Sequence, residues 1–240
     1  MSKSIIAKLR KDLVSNADPA TKAGSDRFFK KGEEPTVYGV KNVLVKKLSM
    51  QYFAEIKTLP KEEIFNLCEE LWKSDWLEES FIACNWSYYL NDRYTPEDFQ
   101  VFEHWLHSYV TNWGDCDTLC NHTVGDFVML YPEYTEKVAW TGSANRWVKR
   151  GAAVTFIIPA RKGLFHETAF EIADILLMDT DDLVRKGYGW MLKAVSEHSA
   201  ESQKRVFDYI IKHKATMPRT SLRYAIEKMP PEMRKEAMAK

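Results

Sequence analysis

The sequence predicts an all-α fold, a curved α-solenoid built from antiparallel helical hairpins. Three observations carry this reading. Apolar residues recur at helical spacing, as where Ile64, Leu67, Cys68, Leu71 and Trp72 fall at i, i+3, i+4, i+7 and i+8. Alternating β-type stretches are nearly absent, VTFIIPA at 154–160 being the one β-branched run. The third is repetition. Arg150 in WVKRGAAV, Lys186 in LVRKGYGW and Arg223 in SLRYAIEK are spaced by 36 and 37 positions. Asp117 precedes Arg150 by 33, and Glu79 in WLEESFIACNW precedes Asp117 by 38. Each marks a helix with a polar residue early and small or apolar residues after it. Such a period belongs to stacked helix pairs of the HEAT or armadillo kind, whose second helices line a concave surface.

Along the chain, MSKSIIAKLR alternates apolar and basic residues as an amphipathic helix does, without the unbroken apolar stretch of a signal peptide. The loop-like Gly32-Glu33-Glu34-Pro35 separates a helical cap at 1–35 from the repeats. Val40, Leu44, Leu48, Tyr52 and Ile56 then give a stripe at spacing four. At Thr95-Pro96-Glu97-Asp98 a helix is expected to start, with Thr95 as cap and Pro96 in the first turn. Ser143 and Asp181 are further expected N-caps. The helix from Ser143 is expected to run through VTFIIPA until Pro159 ends it. Helices of roughly 12–18 residues joined by short polar turns suggest antiparallel pairs. The whole of 1–240 reads as a single domain.

With 240 residues, 45% of them hydrophobic and 28% charged, the chain is large enough for a substantial core. No apolar run approaches the roughly 20 residues that cross a bilayer, so cytoplasmic residence is expected, and a monomer fits a closed repeat stack with polar ends. Cys68, Cys84, Cys116 and Cys120 are expected to be buried thiols. Cys116 and Cys120 lie near His122, but no CxxC pair or fourth ligand accompanies them, so no metal is expected. The net charge of zero is unevenly spread. Residues 1–60 hold 12 Lys/Arg against 6 Asp/Glu, 61–140 hold 4 against 16, and 141–240 hold 18 against 12. A polyanion would be drawn to the two ends, while the neutral total weighs against tight nonspecific DNA binding.

The residues that point to chemistry are Trp113 and Asp117 in NWGDCD, Arg150 in RWVKRGAAV and Trp190 in KGYGWMLK. Spacing of four puts Trp113 and Asp117 on one helical face. The pair alone also reads as a core indole beside an aspartate, Asp115 or Asp117, that caps a helix from about Thr118. Gly187 and Gly189 flank the approach to Trp190 and are locally unfavourable in a helix, which suggests close approach by a neighbour. A carboxylate beside aromatic faces can stabilise a developing cation, and an arginine can hold a phosphate. Together these residues point to a damaged nucleotide as substrate.

In order and distance these motifs resemble the AlkD-like DNA alkylation repair proteins, a HEAT-like family of DNA glycosylases acting on alkylated purines. The resemblance spans nearly the whole chain, including YGVK at 38–41, LWKSDWLEESFIA at 71–83, WTGSANRWVKRGAAV at 140–154, LLMDTDDLVRKGYGWMLK at 176–193 and MPRTSLRYAIEK at 217–228. It implies that Trp113 and Trp190 are the two aromatic walls of a lesion-facing cleft, Asp117 the catalytic carboxylate, and Arg150 an arginine at the DNA backbone. Lys149, Lys186, Lys193, Arg219 and Arg223 are basic residues on inner helices that can contact phosphates. Two departures stand out. Asp115 supplies a second carboxylate in the same turn, and the family's N-terminal aromatic falls on Phe28 or Phe29, without a phenolic hydroxyl.

The implied reaction needs no cofactor. Alkylation at N3 or N7 makes a purine cationic and a good leaving group, and its departure leaves positive charge on the deoxyribose. The expected protein is a monofunctional glycosylase of duplex DNA that releases 3-methyladenine or 7-methylguanine and leaves an abasic site. The family implies catalysis without extruding the base. The competing expectations are a noncatalytic helical scaffold and a DNA-binding relative of weak or altered activity.

Overall fold

A computed structural model describes residues 2–31, 33–136 and 140–239. Gly32, expected in the loop after the cap, lies outside the described residues, as do the side chains of Ser2, Lys3 and Asp26. The chain packs as two compact units, 1–119 and 120–240. Among the described residues there is no β-strand, only an isolated bridge between Thr36 and Trp76.

The first unit contains α1 (Ser2–Ser15), α2 (Pro19–Ser25), α3 (Asn42–Ile56), α4 (Lys61–Trp72), α5 (Leu77–Tyr88), α6 (Asp98–Ser108) and α7 (Trp113–Thr118). Helix α1 is amphipathic as expected, burying Ile5, Ile6, Leu9 and Leu13. Of the stripe at spacing four, Leu48, Tyr52 and Ile56 face inward on α3 together with Val45, while Leu44 is half-exposed and the buried Val40 precedes the helix. All five apolar residues of the 64–72 stripe are buried on α4. Helices α4 and α5 form a hairpin, and α3, α5 and α7 lie side by side. An aromatic cluster joins α4 to α6: the Phe65 ring meets Phe102 and Trp105 edge-on, at 5.7 and 5.6 Å.

Helix α6 starts at Asp98, not beside Thr95. The Asp98 carboxylate accepts from the Thr95 N–H at 2.8 Å and from Lys61 Nζ at 2.7 Å. Thr95 is thus bound by the acid three residues on rather than acting as the cap.

A π-helical turn, Leu119–Val124, follows α7. The second unit then contains α8 (Gly125–Leu130), α9 (Arg146–Val154), α10 (Ile157–Arg161), α11 (His166–Leu176), α12 (Asp182–Ser196), α13 (Ala200–His213), α14 (Arg219–Ala225) and α15 (Pro231–Met238). Helix α12 is its centre, packing on α9 and α14 as well as on α11 and α13. Tyr188, Met191, Leu192 and Val195 of α12 are fully buried. Asp181 caps α12 as expected, accepting from the N–H groups of Leu183 and Val184.

The start of α9 is capped by Asn145, whose side chain accepts from the Trp147 N–H at 2.9 Å; Ser143 instead accepts from the Asn145 N–H. Pro159 acts four residues earlier than expected. Its ring excludes a helical carbonyl at Thr155, so α9 ends at Val154 and Pro159 itself sits in the first turn of α10. The displaced Thr155 carbonyl lies against Gly125 of α8, 3.1 Å from where a Cβ would be.

The repeating polar positions all fall on helices: Glu79 on α5 and Asp117 on α7 in the first unit, Arg150 on α9, Lys186 on α12 and Arg223 on α14 in the second. The four cysteines are buried thiols. Among the described residues no helix is long and apolar enough to cross a membrane.

Candidate functional site

In the first unit the site is built on α7. Asn112 caps this helix, its Oδ1 accepting from the Asp115 N–H at 3.0 Å. Both aspartates therefore lie within the helix, and neither caps it. Trp113 and Asp117, one turn apart, share a flank of α7 and are half-exposed. Asp115 turns the other way and is 4% exposed. Burial pushes its carboxyl up to about 7, against the lowering effect of hydrogen bonds from Ser80 and Asn112. The two acids of NWGDCD thus divide into an inward and an outward one.

Both N-terminal phenylalanines reach Trp113. Its Nε1–H donates to the Phe28 carbonyl at 3.0 Å, and the Phe29 ring stacks on the indole at 5.7 Å. The Phe28 ring is 58% exposed, with the Arg27 guanidinium 4.9 Å from its centre. Trp113, Phe28, Phe29 and Phe81 wall a cavity of about 680 Å³, with Arg27 and Lys41 among its charged residues. Asp117 is not part of this wall. Glu78, which is, spends its carboxylate on the backbone N–H groups of Tyr38, Gly39 and Val40 at 2.8–3.0 Å.

Helix α3 contributes residues that the repeat spacing did not single out. Lys41 and Asn42, at its N-terminus, line the cavity. Val43, Lys46, Lys47 and Met50 follow at i, i+3, i+4 and i+7 and are all exposed. Lys41 shares the cavity lining with Asp18, whose carboxyl a hydrogen bond from Thr21 lowers most and Lys41 lowers further. Among the described residues no carboxylate pairs with Lys46 or Lys47, and the first turn of α3 holds no acid. The spacing of this basic face is visible in the sequence; its lack of counter-charges is not.

In the second unit Arg150 is 5% exposed. Its Nη1 donates to the Leu183 carbonyl in the first turn of α12. Gly187 packs beside it, where a Cβ would lie in ordinary contact 3.4 Å from Arg150 Cγ. Gly189 serves a different neighbour: its Cβ would meet the Ser221 carbonyl oxygen of α14 at 2.7 Å. Trp190 is half-exposed on α12, between Lys186 and Lys193 on the same face.

Most of the expected phosphate contacts carry a partner already. Lys149 pairs with Asp179, Lys186 with Asp182 at 2.8 Å and Lys193 with Glu227 at 2.9 Å. Arg219 donates to the Met238 carbonyl at 3.1 Å, and Arg223 is exposed. Among the described residues no group of three or more His, Cys, Asp or Glu side chains is placed to hold a metal ion.

The family model described as DNA alkylation repair enzyme matches residues 9–229. A solved structure described as a predicted DNA alkylation repair enzyme from Enterococcus faecalis matches with a TM-score of 0.77 at 16% identity. The match covers 90% of this chain and 98% of that one, a likeness of fold. No curated protein matches the chain. On the length of the family match, this chain belongs to the DNA alkylation repair enzymes.

Proposed function

We propose that the protein is a monofunctional DNA glycosylase that hydrolyses the N-glycosidic bond of cationic alkylated purines, 3-methyladenine and 7-methylguanine, in duplex DNA. The carrying observation is Trp113 and Asp117 on one flank of α7, beside a cavity walled by aromatic rings, in a chain of this family. Departure of the purine takes the bonding electron pair and cancels the charge on the base. The deoxyribose is left as an oxocarbenium-like cation. Asp117 stabilises that cation and orients the water that attacks C1′ and gives up its proton. The indole of Trp113 adds roughly 0.5–2 kcal/mol through its face. An abasic site remains, and no lysine nucleophile is required.

Arg150 supplies positive charge for a backbone phosphate, and its anchor at Leu183 fixes where that charge sits. Lys186 exchanges its carboxylate for a phosphate at small cost, because a part-exposed ion pair is worth about 0–1 kcal/mol; Lys149 and Lys193 sit in more buried pairs and give theirs up less readily. The exposed face of α3 contributes Lys46 and Lys47 directly.

The test is release of free base from methylated duplex. Wild type is expected to liberate 7-methylguanine or 3-methyladenine, and Asp117→Asn to lose at least a hundredfold in rate, the order of one charge-stabilising group, with DNA affinity retained or raised. No release at saturating protein rejects the glycosylase. The paired state of Lys149, Lys186 and Lys193 favours a second reading, a DNA-binding relative of weak activity, which predicts affinity without base release.

A further inference from the structure

Asp115 sits in a closed polar knot of the first unit that the proposed chemistry does not use. Its N–H donates to Asn112 Oδ1, and the Asn112 amide donates back to Asp115 Oδ2 at 2.6 Å. Asp115 Oδ1 is hydrogen-bonded to Ser80 Oγ on α5. The same Ser80 hydroxyl lies 2.8 Å from the Leu77 carbonyl. A serine hydroxyl has one proton to give. If Asp115 is ionised, two acceptors claim that proton, and a buried acceptor left unserved is costly. A proton on Asp115 Oδ1 settles the count: Asp115 donates to Ser80, Ser80 donates to Leu77, and Asn112 serves Oδ2.

The surroundings favour the same assignment. The recess beside Asp115 is lined by Pro35, Trp72, Asp75, Trp76 and Tyr109 along with the knot itself, and no cation is among them. Asp75 adds negative charge that raises the Asp115 carboxyl further. The Tyr109 hydroxyl donates to Glu69 of α4 at 2.5 Å. On α5, Glu78 is held by backbone N–H groups and Glu79 by Arg10 and Tyr38. Burial, with a smaller contribution from Asp75, outweighs the hydrogen bonds and raises the carboxyl from 3.8 to about 7.

The geometry points to Asp115 as a positioning residue that works protonated, a neutral carboxyl that ties the N-terminus of α7, and with it Trp113, to α5. Its effect on catalysis rests on the glycosylase reading; the protonation does not. Ionisation takes the Ser80 proton from Leu77 or leaves an unpaired buried charge. Either change loosens the turn that carries Trp113 and Asp117. Asparagine imitates the neutral form, its Nδ2 donating to Ser80 and its Oδ1 accepting from Asn112.

The experiment compares wild type with Asp115→Asn across pH 4 to 8, by denaturant unfolding and by base release from methylated duplex. The unfolded chain sheds this proton near 3.8 while the fold holds it to about 7. The folding equilibrium of wild type therefore weakens relative to the variant as pH rises between those values, by about a thousandfold, and stays level above. Base release by wild type falls above pH 7, and the variant is the faster enzyme at pH 8. A stability ratio that does not change with pH overturns the proposal. Should the variant fail to fold, wild type labelled with carbon-13 at its aspartate carboxyls decides: one is expected to titrate near 7, and titration of all of them below pH 5 overturns it. A pH-dependent ratio with no base release by either protein sustains the protonated Asp115 and removes the glycosylase.

Discussion

At the scale of single residues, Arg150 joins a stability role to a binding one. A guanidinium that is 5% exposed and hydrogen-bonded to the Leu183 carbonyl cannot be removed as a surface charge can. Arg150→Ala leaves that carbonyl short of a donor and empties the space against Gly187, so it is expected to lower stability by about 2 kcal/mol. In DNA binding the same variant is expected to flatten the salt dependence by about one phosphate contact. An unchanged unfolding midpoint would show that the Leu183 bond holds nothing, and an unchanged salt slope would reject the phosphate contact. The two aspartates of NWGDCD show where reading from sequence stops at this scale. Helical phase places Trp113 with Asp117. That Asp115 is buried depends on Asn112 as cap and on Ser80, 35 residues away, which no local pattern reports.

Among the elements, α12 gives the sharpest contrast, because two glycines one turn-half apart meet different neighbours. A Cβ at Gly187 would rest 3.4 Å from Arg150 Cγ, an ordinary contact with a flexible side chain. A Cβ at Gly189 would meet Ser221 O at 2.7 Å and Tyr224 Cβ at 2.8 Å, so the α14 backbone would have to move. Gly187→Ala is therefore expected to be neutral or to gain up to about 1 kcal/mol from helix propensity. Gly189→Ala is expected to lose about 1–3 kcal/mol from overpacking. Thermal unfolding of the two variants checks this, and equal effects would refute the close packing of α12 on α14. Periodicity located α1, α3 and α4 because their apolar stripes answer to one core, and Asp181 was legible because its cap is local. The helix starts differ from those expected at Thr95 and Ser143 because other side chains intervene: Lys61 donates to the Asp98 carboxylate that also holds the Thr95 N–H, and Asn145 takes the cap. Pro159 announced a break correctly, but its ring acts on the carbonyl four residues before it, and the space for that carbonyl is given by Gly125 of another helix.

For the whole molecule, a net charge of zero makes the placement of charge matter more than its amount. The basic surplus of residues 141–240 is largely spent on internal partners, with Lys149, Lys186 and Lys193 each facing a carboxylate. The surplus of residues 1–60 includes Lys46 and Lys47, which among the described residues have no such partner. Sequence exposes both surpluses equally, since it counts charges but not their neighbours. A duplex exchanges counterions for unpaired lysines at full value, whereas a paired lysine must first give up its carboxylate. The double variant Lys46→Ala/Lys47→Ala is therefore expected to lower the slope of log affinity against log salt by about 2, at about 0.9 per phosphate. Lys186→Ala is expected to change it by less than one. Base release at saturating DNA should be the same in the double variant as in wild type, because neither lysine belongs to the α7 flank. Titrations of an undamaged duplex over a range of salt concentrations measure the slopes. A double variant with the wild-type slope would mean that the exposed face of α3 never meets the DNA.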